Sequence, residues 1–147
     1  YTFGPATVGL VYTKTDVKNP VSTVYLPAST FAGLGLTATK FQNIEINGKY
    51  QLTSDFYLGA QYVYTDGKYD AAAGTFKPKY HTVGLMADYS LSKRTALYAV
   101  AIGQIASGKG LGTDADGNAV NYAQIPVLAN SNASRQLAVM AGIRVNF

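Results

Sequence analysis

The feature that most constrains the fold of this chain is a period of two in its last residues. From Leu137 to Phe147 every second residue is apolar, and the positions between them include Arg144 and Asn146. Side chains of a β-strand alternate between two faces, so this period predicts a strand with two unlike faces. An apolar file that ends in an aromatic residue is typical of a strand with one face in lipid. The pattern therefore predicts a strand of a transmembrane barrel.

The same period recurs along the rest of the chain. It covers residues 6–15, 40–52, 56–64, 79–89 and 95–106, and Gly4-Pro5 predicts a tight turn after the end of a further strand. The chain contains 12 Tyr, a residue with high strand propensity and a ring that suits a membrane interface. We therefore predict an all-β fold, an antiparallel transmembrane β-barrel.

The connections between the predicted strands alternate in length. Residues 16–39 and 107–133 form long loops and residues 66–78 a medium loop, whereas residues 53–55 and 90–94 form short turns. Outer-membrane barrels have long extracellular loops and short periplasmic turns. The pattern predicts one barrel domain over residues 1–147, with both ends of the chain on the periplasmic side.

The number of predicted strands is too small for a closed barrel. About six full strands are visible in the sequence, whereas closed bacterial barrels begin at eight, and an open sheet edge in lipid is costly. We therefore expect these residues to be the C-terminal part of a larger barrel. The alternative is a small eight-stranded outer-membrane barrel or adhesin that acts through its extracellular loops. It would need a strand pair hidden within residues 16–39 or 107–133.

The composition argues against several other functions. The net charge is +4, but the basic residues are scattered and Lys93-Arg94 is the one adjacent pair, so we expect no nucleic-acid partner. Absence of cysteine removes disulfides and thiolate metal sites. Gly108–Gly112 lacks the spacing of a phosphate loop, and Asp114–Asn118 resembles a calcium loop but is followed by Ile125 where Glu is required. We predict no cofactor and no metal.

Three segments of the sequence resemble a known family. They are Asn47–Leu52, Ala87–Thr95 and Ser134–Phe147, and they are similar to the C-terminal half of general, non-specific porins of the Gram-negative outer membrane, of the β-proteobacterial type. The resemblance implies a sixteen-stranded, water-filled barrel in the bacterial outer membrane. It implies a homotrimer that passes ions and small hydrophilic solutes by passive diffusion. The constriction loop of that family lies in the N-terminal half, outside these residues.

The resemblance and the face pattern together name the candidate working residues. The polar positions that should line the water column are Glu45, Asn47, Lys49, Gln51, Gln61, Asp88, Gln104 and Arg144. Because both signs of charge are present, we expect no sharp ion selectivity from this part of the barrel. The alternative is that these side chains only solvate the inner face or pair with one another, above all Asp88 and Arg144 near the periplasmic rim.

The apolar face carries two further sets of predicted residues. Aromatic residues near strand ends are predicted to form interfacial girdles, namely Tyr12, Tyr50, Tyr62, Tyr64, Tyr89 and Phe147. The resemblance implies that the barrel assembly machinery recognises the C-terminal signal, here Phe147, Val145, Ile143 and Ala141. It also implies contact with outer-membrane lipid and lipopolysaccharide.

Catalysis and a soluble fold are the remaining alternatives. His81 is the single histidine, and its position beside Lys79 and Tyr80 predicts a surface residue near an outer loop. A hydrolase that uses His81 with a serine would need an acidic residue to orient the imidazole, and none lies at an obvious spacing. We therefore expect no enzyme. A soluble ligand-binding barrel would be distinguished by its solubility without detergent.

Overall fold

The structure, a computed structural model, describes residues 1–20, 35–126, 128 and 131–147. Nine strands lie in these ranges. They are β1 (Thr2–Phe3), β2 (Ala6–Lys18), β3 (Leu36–Gln51), β4 (Phe56–Ala71), β5 (Gly74–Ser90), β6 (Thr95–Lys109), β7 (Gly112–Thr113), β8 (Ala119–Val120) and β9 (Arg135–Val145). Within the same ranges, no helix has the length and apolarity needed to cross a membrane.

Seven of the strands form one antiparallel sheet in the order β1-β2-β3-β4-β5-β6-β9. Each strand pairs with the next strand of the sheet along the chain, while β7 and β8 form a separate two-stranded sheet. The predicted all-β antiparallel fold is confirmed. The six predicted full strands correspond to β2, β3, β4, β5, β6 and β9.

Two short connections have the same architecture. After β3, the backbone N–H of Leu52 donates to the oxygen of Phe56 at 2.9 Å, and after β5 that of Leu91 donates to Thr95 at 2.9 Å. In each connection a hydroxyl near the start, Thr53 in the first, accepts a hydrogen bond from a backbone N–H two residues further on. Such side-chain bonds stabilise tight turns. Both connections lie where the turns 53–55 and 90–94 were predicted.

The predicted medium loop over residues 66–78 is wrong. β4 continues to Ala71 and β5 begins at Gly74, so the connection consists of Ala72 and Ala73. Tyr69 pairs with Phe76 in the ladder, and the strands are also joined by a hydrogen bond from Thr75 Oγ1 to Asp70 Oδ1 at 2.9 Å. The polar composition of these residues predicted a loop. Where a strand pair extends beyond the apolar band, however, neither of its faces contacts lipid, so its apolar and polar residues need not alternate.

The two predicted long loops are shorter than expected. Strand β2 runs to Lys18 and β3 starts at Leu36, so both ends of the predicted 16–39 loop are strand; its residues 21–34 lie outside the described part. In the predicted 107–133 loop, β6 continues to Lys109 and the β7–β8 hairpin follows. That hairpin does not join the seven-stranded sheet.

The sheet exposes its apolar face more than its polar face. Leu10, Leu137 and Val139 on the apolar face are 76%, 73% and 72% exposed, whereas Asp88 and Gln104 on the other face are 1% and 7% exposed. A soluble protein shows the reverse arrangement, because apolar side chains are the ones most often buried. The polar face is therefore the side on which side chains converge, and the apolar face needs an apolar environment outside the chain.

The sheet has two open edges in the described residues. Strand β9 forms one edge, β1 and the unpaired part of β2 form the other, and the two edges do not pair with each other. Exposed strand edges in lipid carry unsatisfied backbone groups, each of which costs several kcal/mol. The described strands thus form an arc and not the closed eight-stranded barrel of the alternative interpretation.

Candidate channel wall

The strand register brings the eight predicted pore-lining residues onto one face. Directly opposite residues of an antiparallel pair project to the same side. Residues that lie directly opposite one another across β3, β4, β5 and β6 form a row, and three rows contain most of the predicted residues. One row contains Asn47 and Gln61, and a second contains Gln51, Tyr57 and Asp88. The third contains Glu45, Val63, Thr82 and Gln104. Lys49 lies between the Asn47 and Gln51 rows, and Arg144 lies one row beyond Asp88.

Glycines leave space for the amide side chains in the Asn47 row. A Cβ atom at Gly9 would lie 2.6 Å from Asn47 Oδ1, and one at Gly84 would lie 2.8 Å from Gln61 Cγ. Both distances are too short for real contacts, so the amides occupy the space above the glycines. Asn47 Nδ2 also donates to Glu45 Oε1 at 2.6 Å. Asn47 is thus held by a hydrogen bond, and Gln61 fills the space above Gly84.

Charges of both signs remain on this face. The Nζ atom of the exposed Lys49 lies 4.2 Å from the centroid of the Tyr57 ring, which is cation–π geometry. Glu45 lies four residues away on the same strand and the same face. The ring and the Asn47 amide hold these two charges in place without neutralising either one.

Among the ion pairs of the described residues, the one with the most buried carboxylate joins Asp88 to Arg144. Arg144 Nη2 donates to Asp88 Oδ2 at 3.0 Å; the Asp88 side chain is 1% exposed and that of Arg144 is 50% exposed. This contact agrees with the alternative in which these two residues pair with each other. Between them, Gly142 leaves room for the Tyr98 ring, since a Cβ at Gly142 would lie 2.5 Å from Tyr98 Oη.

Gln104 lies on the predicted face but is covered by the chain itself. Its Nε2 donates to Thr82 Oγ1 at 3.1 Å, and its Oε1 accepts a hydrogen bond from the backbone N–H of Gln124 at 2.6 Å. Gln136, directly opposite on β9, accepts one from Ile125 N–H at 2.7 Å. Neither Gln136 nor the segment that covers it was among the predicted pore-lining residues, although Gln136 belongs to the polar file of β9.

The predicted aromatic girdle residues form two groups on the apolar face. In one group, Tyr62 Oη lies 2.7 Å from His81 Nδ1, and the Tyr64 ring centroid lies 5.1 Å from that of His81. In the other group Tyr89 packs against Phe56 at 6.1 Å between ring centroids. Tyr12 lies in the same row as Tyr64 and His81, at the loop end of the sheet. Tyr50 lies at the opposite end, near Tyr89. His81 thus lies among phenol rings near the loop end, on the apolar face.

The predicted assembly residues lie along the open edge. Ala141, Ile143 and Val145 share the apolar face of β9, with Ile143 60% exposed. Phe147 follows the strand and is fully exposed, while the backbone N–H of Asn146 donates to Arg94 O at 2.8 Å. Their role in assembly stays a prediction.

Comparison with known families decides the class of this protein. The sequence model of Gram-negative porins matches residues 1–107, which cover β1 to most of β6. The chain belongs to the Gram-negative porin family. A search of curated proteins found no match. The porin prediction and its outer-membrane class are confirmed, while the β-proteobacterial type and the C-terminal position within the porin barrel stay predictions.

Proposed function

We propose that this porin forms a water-filled channel for passive diffusion of ions and small hydrophilic solutes across the outer membrane. The observation that carries the proposal is the inverted exposure of the sheet. Its apolar file is open to the surroundings, whereas hydrogen-bonded amides and charges of both signs lie on the converging face. Such a wall separates hydrocarbon from water.

The open edges support a larger assembly. Further strands would complete the arc of β1 to β9 into a closed barrel, for which sixteen strands is the number implied by the resemblance to general porins. A homotrimer is proposed on the same ground. Porins of this architecture leave an aqueous lumen, because the diameter of a barrel grows with its strand number.

Weak selectivity is proposed for this part of the wall. Lys49 and Glu45 have opposite charges, and Asp88 is neutralised by Arg144 at 3.0 Å. A ring of one sign would be needed for strong discrimination between cations and anions. No such ring is present among the residues of this wall that the structure describes.

Contact with anionic lipid headgroups is proposed for the loop end of the apolar face. Beyond Tyr64 and His81, this face carries lysines and aspartates; those nearest the rings are Lys14, Lys40, Lys68, Lys79, Asp16, Asp66 and Asp70. Lys40 pairs with Asp16 at 3.1 Å and Lys68 with Asp70 at 2.9 Å. Basic residues above an aromatic band can bind the phosphates of lipopolysaccharide through charge-assisted hydrogen bonds.

Single-channel recording of the full-length protein in planar bilayers tests the proposal. We expect three equal, coupled conductance steps for a trimer of open pores, with little preference between small cations and anions. A folded, inserted protein that does not conduct would contradict the channel and would favour an adhesin with a plugged lumen. Independent single conductance steps would support the channel but contradict the proposed trimer.

A further inference from the structure

The connection between β6 and β9 returns onto the polar face of the sheet. After the β7–β8 hairpin, residues 121–125 cross the strands near Gln104 and Gln136, which lie opposite each other on β6 and β9. The side-chain oxygens of these two glutamines accept hydrogen bonds from consecutive backbone N–H groups, those of Gln124 at 2.6 Å and Ile125 at 2.7 Å. The segment is therefore bonded to the wall across two neighbouring strands.

Asn121 anchors the start of the segment. Its Nδ2 donates to Ser107 O at 2.9 Å and to Lys79 O at 3.2 Å, and its Oδ1 accepts from Tyr80 Oη at 3.0 Å. Lys79 and Ser107 are directly paired in the ladder, so Asn121 holds β5 and β6 together. A Cβ atom at Gly110 would overlap Asn121 Oδ1, and glycine there leaves the anchor its space. The amide is 7% exposed and uses both of its polar atoms.

The segment is packed and not loosely laid over the sheet. Ala123 is completely buried and Ile125 is 4% exposed, as is Ala106 on the wall beneath. The backbone N–H of Ala123 donates to Ala133 O at 2.8 Å, which ties the segment to the returning chain. A loop whose backbone groups are paired and whose small side chains are buried is held in one position.

We infer that residues 121–125 form a constriction element, fixed to the lumen side of β5, β6 and β9, that narrows the channel and limits the size of permeating solutes. The inference rests on the proposed channel function. In this arrangement the segment forms a layer between Gln104 and the water column. Of its residues, Tyr122 and Gln124 are half-buried and keep part of their surface accessible.

Cysteine labelling tests the position of the segment. These residues contain no native cysteine, so Gln124→Cys in the full-length protein, with any other cysteine removed, introduces one defined thiol. A positively charged methanethiosulfonate reagent should react with it and cause a stepwise partial loss of single-channel conductance. The control is Asp116→Cys at the exposed hairpin tip, which should be labelled without a comparable loss.

The outcomes separate this inference from the channel proposal. If the unmodified protein conducts but Gln124→Cys is unreactive, or is labelled without loss of conductance, the constriction element is wrong and the channel stands. If the unmodified protein does not conduct, the channel proposal fails first. Asn121→Ala gives a second measurement, because loss of the anchor should raise conductance and the rate at which larger sugars enter proteoliposomes. If proteolysis shows that Asn121→Ala has released the segment and the size limit for permeating sugars is unchanged, the inference is also overturned.

Discussion

Arg144 Nη2 lies 3.0 Å from Asp88 Oδ2, and this contact joins β9 to β5, two strands that are not neighbours in the sheet. The arginine reaches across β6, above Ala96, which is 6% exposed. Asp88 is buried, so its carboxylate depends on this partner for compensation. The contact fixes the open-edge strand β9 to the body of the sheet.

Removal of the arginine should destabilise the barrel. Arg144→Met leaves the Asp88 carboxylate buried without its cationic partner, for which we expect a loss of about 1–3 kcal/mol in the free energy of unfolding. Urea titration of the protein refolded in lipid vesicles measures it. Arg94→Met, in the exposed turn before β6, is the matched control.

A double-mutant cycle separates the pair from each residue alone. Asp88→Asn together with Arg144→Met should cost less than the sum of the two single changes, because Asp88→Asn removes the buried charge that Arg144 compensates. Equal unfolding free energies for Arg144→Met and Arg94→Met would show that the contact does not stabilise the sheet.

Gly142 should not accept a larger residue. In Gly142→Ala the new Cβ would lie 2.5 Å from Tyr98 Oη, so the ring must move, and we expect a destabilisation of about 1–3 kcal/mol by overpacking. Gly59→Ala is the control on the same face, since its Cβ would meet Met86 Cβ at an ordinary 3.7 Å. The same urea titration compares them. A smaller effect for Gly142→Ala than for Gly59→Ala would contradict the packing described here.

Period-two alternation was sufficient to predict six strands, their faces and both short turns, because each depends on local sequence. The pairing of Asp88 with Arg144 was foreseeable as an alternative, since both belong to polar files near the same rim. The extension of β4 to Ala71 was not, because a strand beyond the apolar band loses its alternation. Nor was the return of the β6–β9 connection onto the wall. Its anchor depends on bonds from Asn121 to residues as far as 42 positions away, and spacing does not encode them.

The hairpin tip between β7 and β8 should respond to acid. The backbone N–H of Asn118 donates to Asp114 Oδ1 at 2.8 Å and holds the pKa of that carboxyl below its ordinary value. A folded-state pKa below the unfolded value means that the stabilisation is present above the unfolded pKa and is lost as the pH falls through the folded pKa.

Nuclear magnetic resonance measures this dependence. The amide shift of Asn118 should titrate with a midpoint below the value of about 3.9 expected for a free aspartate. Asp114→Asn should abolish the titration and Asp116→Asn should retain it. A midpoint at or above the free value would contradict the assigned hydrogen bond.

The terminal aromatic should affect assembly more than stability. Phe147 is fully exposed and follows the last strand, so Phe147→Ala should change the unfolding free energy of the refolded barrel by no more than about 0.5 kcal/mol. If it belongs to the assembly signal, the amount of folded protein in the outer membrane should nevertheless fall. Heat-modifiable gel mobility of membrane fractions measures that amount. Leu91→Ala, an exposed turn residue, is the control, and equal amounts for both variants would remove the proposed role.

The alternation of lipid-facing and water-facing side chains is tested most directly at two adjacent residues of β5. Leu85 lies on the apolar face and is 55% exposed, whereas Met86 lies on the polar face, in the same row as Lys49. In lipid bilayers, a charged thiol reagent should label Met86→Cys and reduce its single-channel current, while Leu85→Cys should stay unlabelled. Equal labelling of the two, or labelling of Leu85→Cys alone, would contradict the assignment of faces on which the channel depends.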